Sequence, residues 1–287
     1  MRNSVITIIP AYNEERTISK VINLSKKHCH RVLVIDDGST DKTLEFVKQT
    51  SAEFISNSEN KGNSYALLKG FEYAITNNYS IIVTIDADLA HNPNEIPKLL
   101  NKVEKSKCQL CIGNRFSKSL INNIPSPKIC SNLFASQLFN LIMKTNYKDV
   151  SCGFRAIKIK YIENVIHNIK SNGFSLVYDM LVFAIMNKIN VGIVPVSVHY
   201  DASKLIGTSR KELVDLLNSL IRMNQITKEI EMKLLKIKED IKRFSLVSLK
   251  LRDCMLYLIP LKQYDSYIFQ KQDEAFNKNS KEVTYQF

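Results

Sequence analysis

The sequence predicts an α/β protein in which helices flank a mostly parallel sheet. Short, almost continuously apolar strands alternate with helix-like segments from residue 5 to residue 113. This alternation is typical of a parallel sheet that is buried on both faces. Polar clusters follow three of the strands, at positions 10–14, 36–39 and 86–88. Because ligands bind beyond the carboxyl ends of the strands in such sheets, we expect the three clusters to line one crevice.

The individual elements follow from two patterns. β-branched runs predict strands, and apolar residues at helical spacing predict helices. Up to residue 113 the predicted strands cover 5–9, 31–35, 54–56, 80–85 and 109–113, and the predicted helices cover 17–24, 40–49, 63–76 and 93–105. Beyond residue 113 the pattern predicts a loop over 121–127, helices over 130–143 and 173–187, and strands over 149–157 and 191–200.

The chain divides into two predicted parts. The main domain covers residues 1–210, and a basic, amphipathic helical extension with a polar tail covers residues 211–287. Ser209-x-x-Glu212 is a capping box, which predicts the start of a helix. Residues 226–252 carry eight basic and four acidic side chains. Such a helix is expected either to lie peripherally on an anionic membrane or to pack on the core or on a second copy in a homo-oligomer.

The composition is that of a globular protein, with 45% hydrophobic and 24% charged residues among 287. It excludes a disordered chain, collagen and a disulfide-stapled mini-protein. The 40 Lys and Arg outnumber the 28 Asp and Glu, and the net charge of +12 suits an anionic partner such as a nucleotide, a phosphorylated lipid or a membrane surface. No nucleic-acid partner is expected, because basic and aromatic residues are not interleaved and no recognition motif occurs.

The cysteines and the N-terminus predict a cytoplasmic protein. Any contact with a membrane is expected to be peripheral, on the cytoplasmic face. Six cysteines are scattered, and the apolar run before Pro10 is too short for a signal peptide. No stretch approaches the roughly 20 mostly apolar residues that a membrane-spanning helix needs. Cys108 and Cys111 form one CxxC pair, but without a second pair or a nearby His they are interpreted as buried structural thiols.

Asp86-x-Asp88 is the sharpest chemical signal in the chain. Two carboxylates at this spacing after a strand can hold a hard divalent cation beside a diphosphate. Mg²⁺ or Mn²⁺ there would neutralise charge on a departing nucleotide diphosphate. For this motif alone, a solvated acidic turn remains the alternative.

A series of short motifs runs through residues 4–211. They are 10–14 (PAYNE), 36–41 (DDGSTD), 60–62 (NKG), 86–91 (DADLAH), 113–116 (GNRF), 149–155 (DVSCGFR), 173–174 with Asp179, and 207–210 (GTSR). In content and order the series resembles glycosyltransferase family 2, whose fold is called GT-A. Within that family it is most similar to the dolichyl- and polyprenyl-phosphate sugar transferases.

The resemblance implies an inverting, metal-dependent transfer of a sugar from a nucleotide diphosphate sugar, such as GDP-mannose or UDP-glucose, to a polyprenyl or dolichyl phosphate. It implies Mg²⁺ or Mn²⁺ as cofactor, with Asp88 as the direct ligand and Asp86 facing the ribose and the metal shell. The residues implied for nucleotide binding are Pro10, Tyr12, Glu14, Asp37, Lys61, Asp86 and Ala87. Those implied for the phosphates of donor or acceptor are Arg115, Arg155, Lys204, Ser209 and Arg210.

The chain departs from the family pattern at four of these positions. Ala90 stands where the family has a Gln that helps to ligate metal, and Asp179 stands for a Glu, Lys204 for an Arg and Arg210 for a Lys. Asp179 is the candidate general base, with a catalytic role, if the acceptor is a hydroxyl. A lipid phosphate is already anionic and needs no base.

Two other functions stay open. One is a family-2 enzyme that adds a sugar to a hydroxyl of a surface glycan, and the other is a non-catalytic, degenerate nucleotide-sugar-binding module. Processive polysaccharide synthases are excluded because their Q-x-x-R-W signature needs a Trp, which this chain lacks. A Rossmann dehydrogenase is excluded because no G-x-G-x-x-G follows the first strand. A nucleotide-sugar pyrophosphorylase would carry a Gly-rich, basic loop where this chain has PAYNEE.

Overall fold

The computed structural model describes residues 4–117, 126–168, 175–199 and 208–222, together with residues 232 and 235. Within these ranges helices flank a seven-stranded sheet, which confirms the predicted fold class. The strands are β1 (Val5–Ala11), β2 (Arg31–Asp36), β3 (Glu53–Ser56), β4 (Ile81–Thr84), β5 (Leu110–Asn114), β6 (Arg155–Lys158) and β7 (Val191–Pro195). The helices are α1 (Ile18–Ser25), α2 (Thr43–Lys48), α3 (Asn63–Thr76), α4 (Ile96–Lys105), α5 (Ser126–Met143), α6 (Ile159–Ile166), α7 (Ser175–Met186) and α8 (Thr208–Ile221), and a 3₁₀ turn at Pro93–Glu95 precedes α4.

The sheet has the strand order β3-β2-β1-β4-β6-β5-β7. Every neighbouring pair is parallel except the two that involve β6, which is antiparallel to β4 and β5. The antiparallel strand was not predicted. Because β6 runs in the opposite direction, the residues that precede it lie at the edge where the other strands end.

Strand β1, which is flanked by β2 and β4, is part of the core. Its Ile6, Ile8 and Ile9 are fully buried, as parallel strands covered by helices require. Helix α3 packs closely on β1 at Gly70, where an added Cβ would lie 2.5 Å from Cγ2 of Ile8. The absence of a side chain at Gly70 therefore lets the helix backbone approach the sheet.

Some predicted boundaries are wrong. The strand predicted over 149–157 is confined to β6, and the strand predicted over 191–200 ends at Pro195, after which Val198 pairs with His91 in an isolated bridge. Helix α6 was not predicted. Helix α8 begins at Thr208, so Ser209 lies inside the first turn and is not the N-cap of a capping box.

Part of the predicted organisation lies outside the described residues, including the loop over 121–125 and almost all of the extension beyond residue 222. The division at residue 210 and the membrane or homo-oligomer role of the extension therefore stay predictions. None of the helices in the described ranges has the length and apolar character needed to cross a membrane.

Candidate active site

The carboxyl ends of β2, β1 and β4 lie side by side at one edge of the sheet. Ala11 at the end of β1 is opposite Asp36 at the end of β2, and Thr84 at the end of β4 pairs with the middle of β1. Asp37 and Asp86 therefore follow strands on either side of β1. Adjacent strands are about 4.8 Å apart, so the strands that carry these two residues are separated by about 10 Å.

We call this edge the rim. It comprises residues 11–17, 36–43, 56–62, 85–92, 114–117, 149–154 and 196–199, which follow the parallel strands or precede β6. Hydrogen bonds connect its segments. The backbone N–H of His199 donates to the carbonyl of Ala90 (2.8 Å), and the hydroxyl of Thr84, the last residue of β4, donates to the carbonyl of Gly153 (2.6 Å). The rim brings together residues from seven separate stretches of sequence.

Asp37 organises the loop that follows β3. Its buried carboxylate accepts hydrogen bonds from the backbone N–H groups of Lys61 and Gly62 and from the side-chain amide of Asn57, at 2.7–3.1 Å. Gly38 has φ +73°, and a Cβ there would lie 2.5 Å from the backbone carbon of Glu59. Asp37 thus shapes the rim, and its expected contact with a nucleoside stays a prediction.

The PAYNE segment is bound to the turn after β2. The N–H of Asn13 donates to the hydroxyl of Ser39 (3.0 Å), and the N–H of Glu14 donates to the hydroxyl of Thr43 (2.7 Å). Tyr12 lies between these anchored residues and is 44% exposed. Its ring is therefore accessible to a ligand at the rim, as the predicted nucleoside contact requires.

Three other residues predicted to bind the nucleotide have different surroundings. Pro10 lies within β1 opposite Ile35, and Ala87 is buried in the core. The ammonium group of Lys61 lies 5.2 Å from the ring centroid of Tyr65. Their contacts with a nucleotide stay predictions.

The Asp86-x-Asp88 turn presents two half-buried carboxylates at the rim. Oδ1 of Asp88 accepts a hydrogen bond from the N–H of Ala90 (2.9 Å), which fixes the turn. In the described ranges no group of three or more His, Cys, Asp and Glu side chains could hold a metal ion. Asp86 and Asp88 would supply two hard carboxylate donors, which fit Mg²⁺ or Mn²⁺ when water and diphosphate oxygens complete the coordination.

Ala90 contributes backbone groups to this turn. Its N–H holds Asp88, its carbonyl accepts from His199, and its methyl group packs with Phe116 and Val198. The family's Gln at this position is therefore replaced by a buried apolar contact, and the side chain offers no metal ligand.

Gly153 permits close approach of Asp86. A Cβ at Gly153 would lie 3.3 Å from both carboxylate oxygens of Asp86. We expect Gly153→Ala to displace this carboxylate by a few tenths of an ångström and to raise the KM for the donor by about 3–10-fold. Steady-state kinetics at fixed acceptor measures the effect, with the thermal midpoint as the folding control. An unchanged donor KM in a folded variant would show that the position of Asp86 is not critical.

Arg115 and Asp149 form a buried ion pair across the rim. Nε and Nη2 of Arg115 each lie 2.7 Å from a carboxylate oxygen of Asp149, and Nη2 also donates to the hydroxyl of Ser151. Burial alone would raise the pKa of Asp149, but the charge and hydrogen bonds of Arg115 outweigh it and hold the pKa below its usual value. The pair holds the 149–154 segment in place. Arg115 would have to contact a phosphate while it stays bound to Asp149, and this predicted contact stays a prediction.

His91 follows the Asp86-x-Asp88 turn. Its Nε2 is 3.7 Å from Sγ of Cys152, and its ring packs on Phe154. Burial, together with the nearby charge of Arg115, lowers the pKa of His91 to about 4. His91 is therefore neutral at neutral pH. Burial raises the pKa of the Cys152 thiol to about 12, which makes this cysteine an inert, structural thiol. Cys108 and Cys111 of the CxxC pair are also free and buried.

Arg155 lies in the interior, and its predicted phosphate contact stays a prediction. It is fully buried, and its guanidinium donates to the backbone carbonyls of Cys152 (2.8 Å), Val177 (2.7 Å) and Val150 (3.3 Å). Burial lowers its pKa to about 10, so it remains charged at neutral pH. Its role in this structure is to join the 149–154 segment to α7.

Asp179 lies on α7 and is engaged by α8. Nη2 of Arg222 is 3.0 and 2.9 Å from the two carboxylate oxygens, and the hydroxyl of Ser219 donates to Oδ1. The resemblance also implied Lys204, Ser209 and Arg210 as phosphate ligands. Lys204 lies outside the described residues, as do the side chains of Ser209 and Arg210 in the first turn of α8.

Sequence reasoning missed Arg222, Ser219, Gly153 and the pairing role of Asp149. Gly153 and Asp149 belong to the DVSCGFR motif, so the motif marked their segment without showing their contacts. Arg222 and Ser219 belong to no motif, and their spacing from Asp179 carries no local signal.

The family model described as "Glycosyl transferase family 2" matches residues 6–166, which is more than half of the chain. The chain belongs to glycosyltransferase family 2. It is therefore a glycosyltransferase by family.

Two relatives and one solved structure agree with this assignment. The chain is 27% identical to the UDP-N-acetylglucosamine–dolichyl-phosphate N-acetylglucosaminyltransferase of Methanococcus voltae, over 68% of this chain and 86% of the relative. It is 27% identical to the polyprenol monophosphomannose synthase of Mycolicibacterium smegmatis, over 72% of this chain and 83% of that protein. These relatives confirm the resemblance to polyprenyl-phosphate sugar transferases. A structure of glucosyl-3-phosphoglycerate synthase from Mycobacterium tuberculosis with Mn²⁺ and UDP matches with a TM-score of 0.61 at 18% identity, over 76% of this chain and 80% of the other, which confirms the GT-A fold.

Proposed function

We propose that this glycosyltransferase moves a sugar, with inversion, from a nucleotide diphosphate sugar to a polyprenyl-type lipid phosphate. The observation that carries the proposal is the rim, where the segments bearing Tyr12, Asp37, Asp86 and Asp88 meet at the carboxyl edge of the sheet. The relatives named for dolichyl phosphate and polyprenol support the acceptor class.

The donor half of the proposal follows from the charges at the rim. Asp86 and Asp88 would hold Mg²⁺ or Mn²⁺, which when bound stabilises the negative charge on the leaving nucleotide diphosphate. The exposed Tyr12 and the loop ordered by Asp37 border the space for the nucleoside. An acidic turn for the metal and diphosphate, together with an accessible aromatic ring for the nucleoside, suits a nucleotide diphosphate sugar.

The acceptor half follows from the surroundings of Asp179. A general base must have an oxygen available to the acceptor hydroxyl. Here Arg222 contacts both carboxylate oxygens, and Ser219 donates to one of them. This arrangement favours an acceptor that is anionic before it binds, which a lipid monophosphate is and a glycan hydroxyl is not.

The Asp179→Asn variant tests the acceptor class. We expect a loss of only a few-fold in transfer to a polyprenyl phosphate, because no proton has to be removed. A loss of about 10²–10⁴-fold in kcat would indicate a general base and hence a hydroxyl acceptor. Asn keeps an oxygen for Ser219, so the substitution removes the charge with little change in shape.

The proposal as a whole is tested by a transfer assay on the full chain. Purified protein is incubated with UDP- and GDP-sugars, a polyprenyl monophosphate, and Mg²⁺, Mn²⁺ or EDTA. We expect a glycosylated lipid phosphate that requires the metal, and a rise in thermal midpoint with the matching donor. Donor binding without transfer to any lipid or glycan acceptor would instead support a non-catalytic binding module.

A further inference from the structure

Asp179 and Arg222 form a pair that joins α7 to the end of α8. The side chain of Asp179 is 10% exposed, whereas that of Arg222 is 39% exposed. Nη2 of Arg222 lies within 3.0 Å of both carboxylate oxygens, and Ser219, one turn earlier, donates to the same carboxylate. The carboxylate is thus almost enclosed, while the guanidinium that it holds remains accessible.

This pair lies on the rim side of the sheet. The N–H of Leu176 in the first turn of α7 donates to the hydroxyl of Ser64 (3.2 Å), two residues after Gly62, whose N–H binds Asp37. Arg155 connects the same turn, at the carbonyl of Val177, to the 149–154 segment. Asp179 is one helical turn beyond these two attachments. The last turn of α8 therefore approaches the rim.

Arg222 has hydrogen-bonding capacity that the described part of the chain does not use. A guanidinium carries five N–H donors in a planar fork that matches a phosphate group. Both bonds to Asp179 come from Nη2, and in the described ranges Nε and Nη1 have no partner. An accessible guanidinium held in one orientation by a carboxylate loses little conformational freedom when an anion binds.

We propose that Arg222 binds the phosphate of the acceptor, and that Asp179 and Ser219 hold its guanidinium in position. This inference rests on the proposed function and adds a specificity-determining residue to it. The donor diphosphate is expected at the Asp86-x-Asp88 turn, and Arg222 is a separate cationic group that could receive the second anion. The chain also continues from Arg222 into the basic 226–252 segment, whose charge suits the same anionic lipid.

The test compares Arg222→Gln and Arg222→Lys with the wild type, using a short-chain isoprenyl monophosphate as acceptor. We expect Arg222→Gln to raise the acceptor KM by about 10–100-fold, because a charge-assisted contact is lost. The donor KM should stay within about two-fold, which separates the acceptor phosphate from the donor diphosphate. Arg222→Lys should recover part of the loss, since it restores the charge but not the fork.

A matched control is Arg31→Gln. Arg31 also pairs with a carboxylate, that of Glu53, but it is the first residue of β2 and therefore lies at the opposite edge of the sheet. We expect it to leave both KM values unchanged, and thermal midpoints report the folding of every variant. Binding of the isoprenyl monophosphate and of the corresponding neutral alcohol is measured in parallel, and only phosphate binding should depend on Arg222.

The outcomes separate the inference from the proposed function. If the wild type transfers sugar to the lipid phosphate and folded Arg222→Gln keeps its acceptor KM, the inference is wrong and the proposed function stands. If the wild type transfers nothing but binds the monophosphate through Arg222, the proposed function is wrong and the phosphate site stands. Absence of both transfer and Arg222-dependent binding overturns both.

Discussion

Replacing Asp88 by Asn is expected to reduce sugar transfer by about 10²–10⁴-fold, since charge stabilisation by a bound cation is worth several kcal/mol. Asn can still accept the hydrogen bond that Ala90 donates to Oδ1, so the turn should keep its conformation. The charge that would attract Mg²⁺ or Mn²⁺ is removed. The assay is metal-dependent transfer from the preferred nucleotide sugar, together with stabilisation of the fold by donor plus metal.

The control for this variant is Glu104→Gln. Glu104 is an exposed carboxylate near the end of α4, before β5 begins, and thus lies away from the rim. Its substitution removes the same charge and should leave transfer within about two-fold, as expected for a distant charge screened by salt. Full activity of Asp88→Asn with the metal still required would place the cation on other ligands.

Replacing Asp149 by Ala is expected to give the largest loss of stability. It leaves the guanidinium of Arg115 buried without its carboxylate, and breaking a buried ion pair in this way costs about 3–5 kcal/mol. For a domain of this size we expect the thermal midpoint to fall by roughly 6–20 °C. Differential scanning calorimetry or dye-monitored melting measures the shift.

Two further variants identify the cause. Removing both charges, in Asp149→Leu with Arg115→Met, should recover much of the loss, because no unpaired charge remains in the interior. Glu59→Gln breaks the exposed pair with Lys61 and should cost less than about 1 kcal/mol. A double variant as unstable as Asp149→Ala would mean that packing, rather than the unpaired charge, sets the loss.

The contribution of this ion pair also depends on pH. The pKa of Asp149 is lower in the folded chain than its ordinary value of about 3.9. Its stabilisation is therefore fully present above about pH 4 and is lost as the pH falls through the lowered, folded-state pKa. The stability difference between the wild type and Asp149→Ala should accordingly shrink in acid.

Local patterns predicted the first half of the fold well. Helix α3 was predicted with both its ends, and β1, β2 and β5 were predicted to within two residues, because apolar periodicity and β-branched runs act over short distances. The shared edge of Asp37, Asp86 and Asp88 followed from the strand ends alone. Because parallel strands align their carboxyl ends, the alternation of strand and helix was sufficient to predict that these residues lie at one edge of the sheet.

Contacts between distant segments could not be predicted in this way. The motif that contains Arg155 indicated a phosphate ligand, but the antiparallel direction of β6 buries its guanidinium among backbone carbonyls. Asp179 was a candidate base only for a hydroxyl acceptor, and the sequence did not show that its carboxylate is engaged by Arg222, 43 residues further along. The contacts of Arg155 and Asp179 join residues whose separation along the chain follows no local sequence pattern.

The amino-acid sequence alone determined the α/β class, the acidic Asp86-x-Asp88 turn at a strand end and the family, because each depends on residues that are neighbours in the chain. The tertiary structure decided which charged groups are accessible and which are held within the protein. That difference arises because burial and ion pairing depend on chain segments that meet only after folding, and a charge removed from water needs a partner wherever the fold places it.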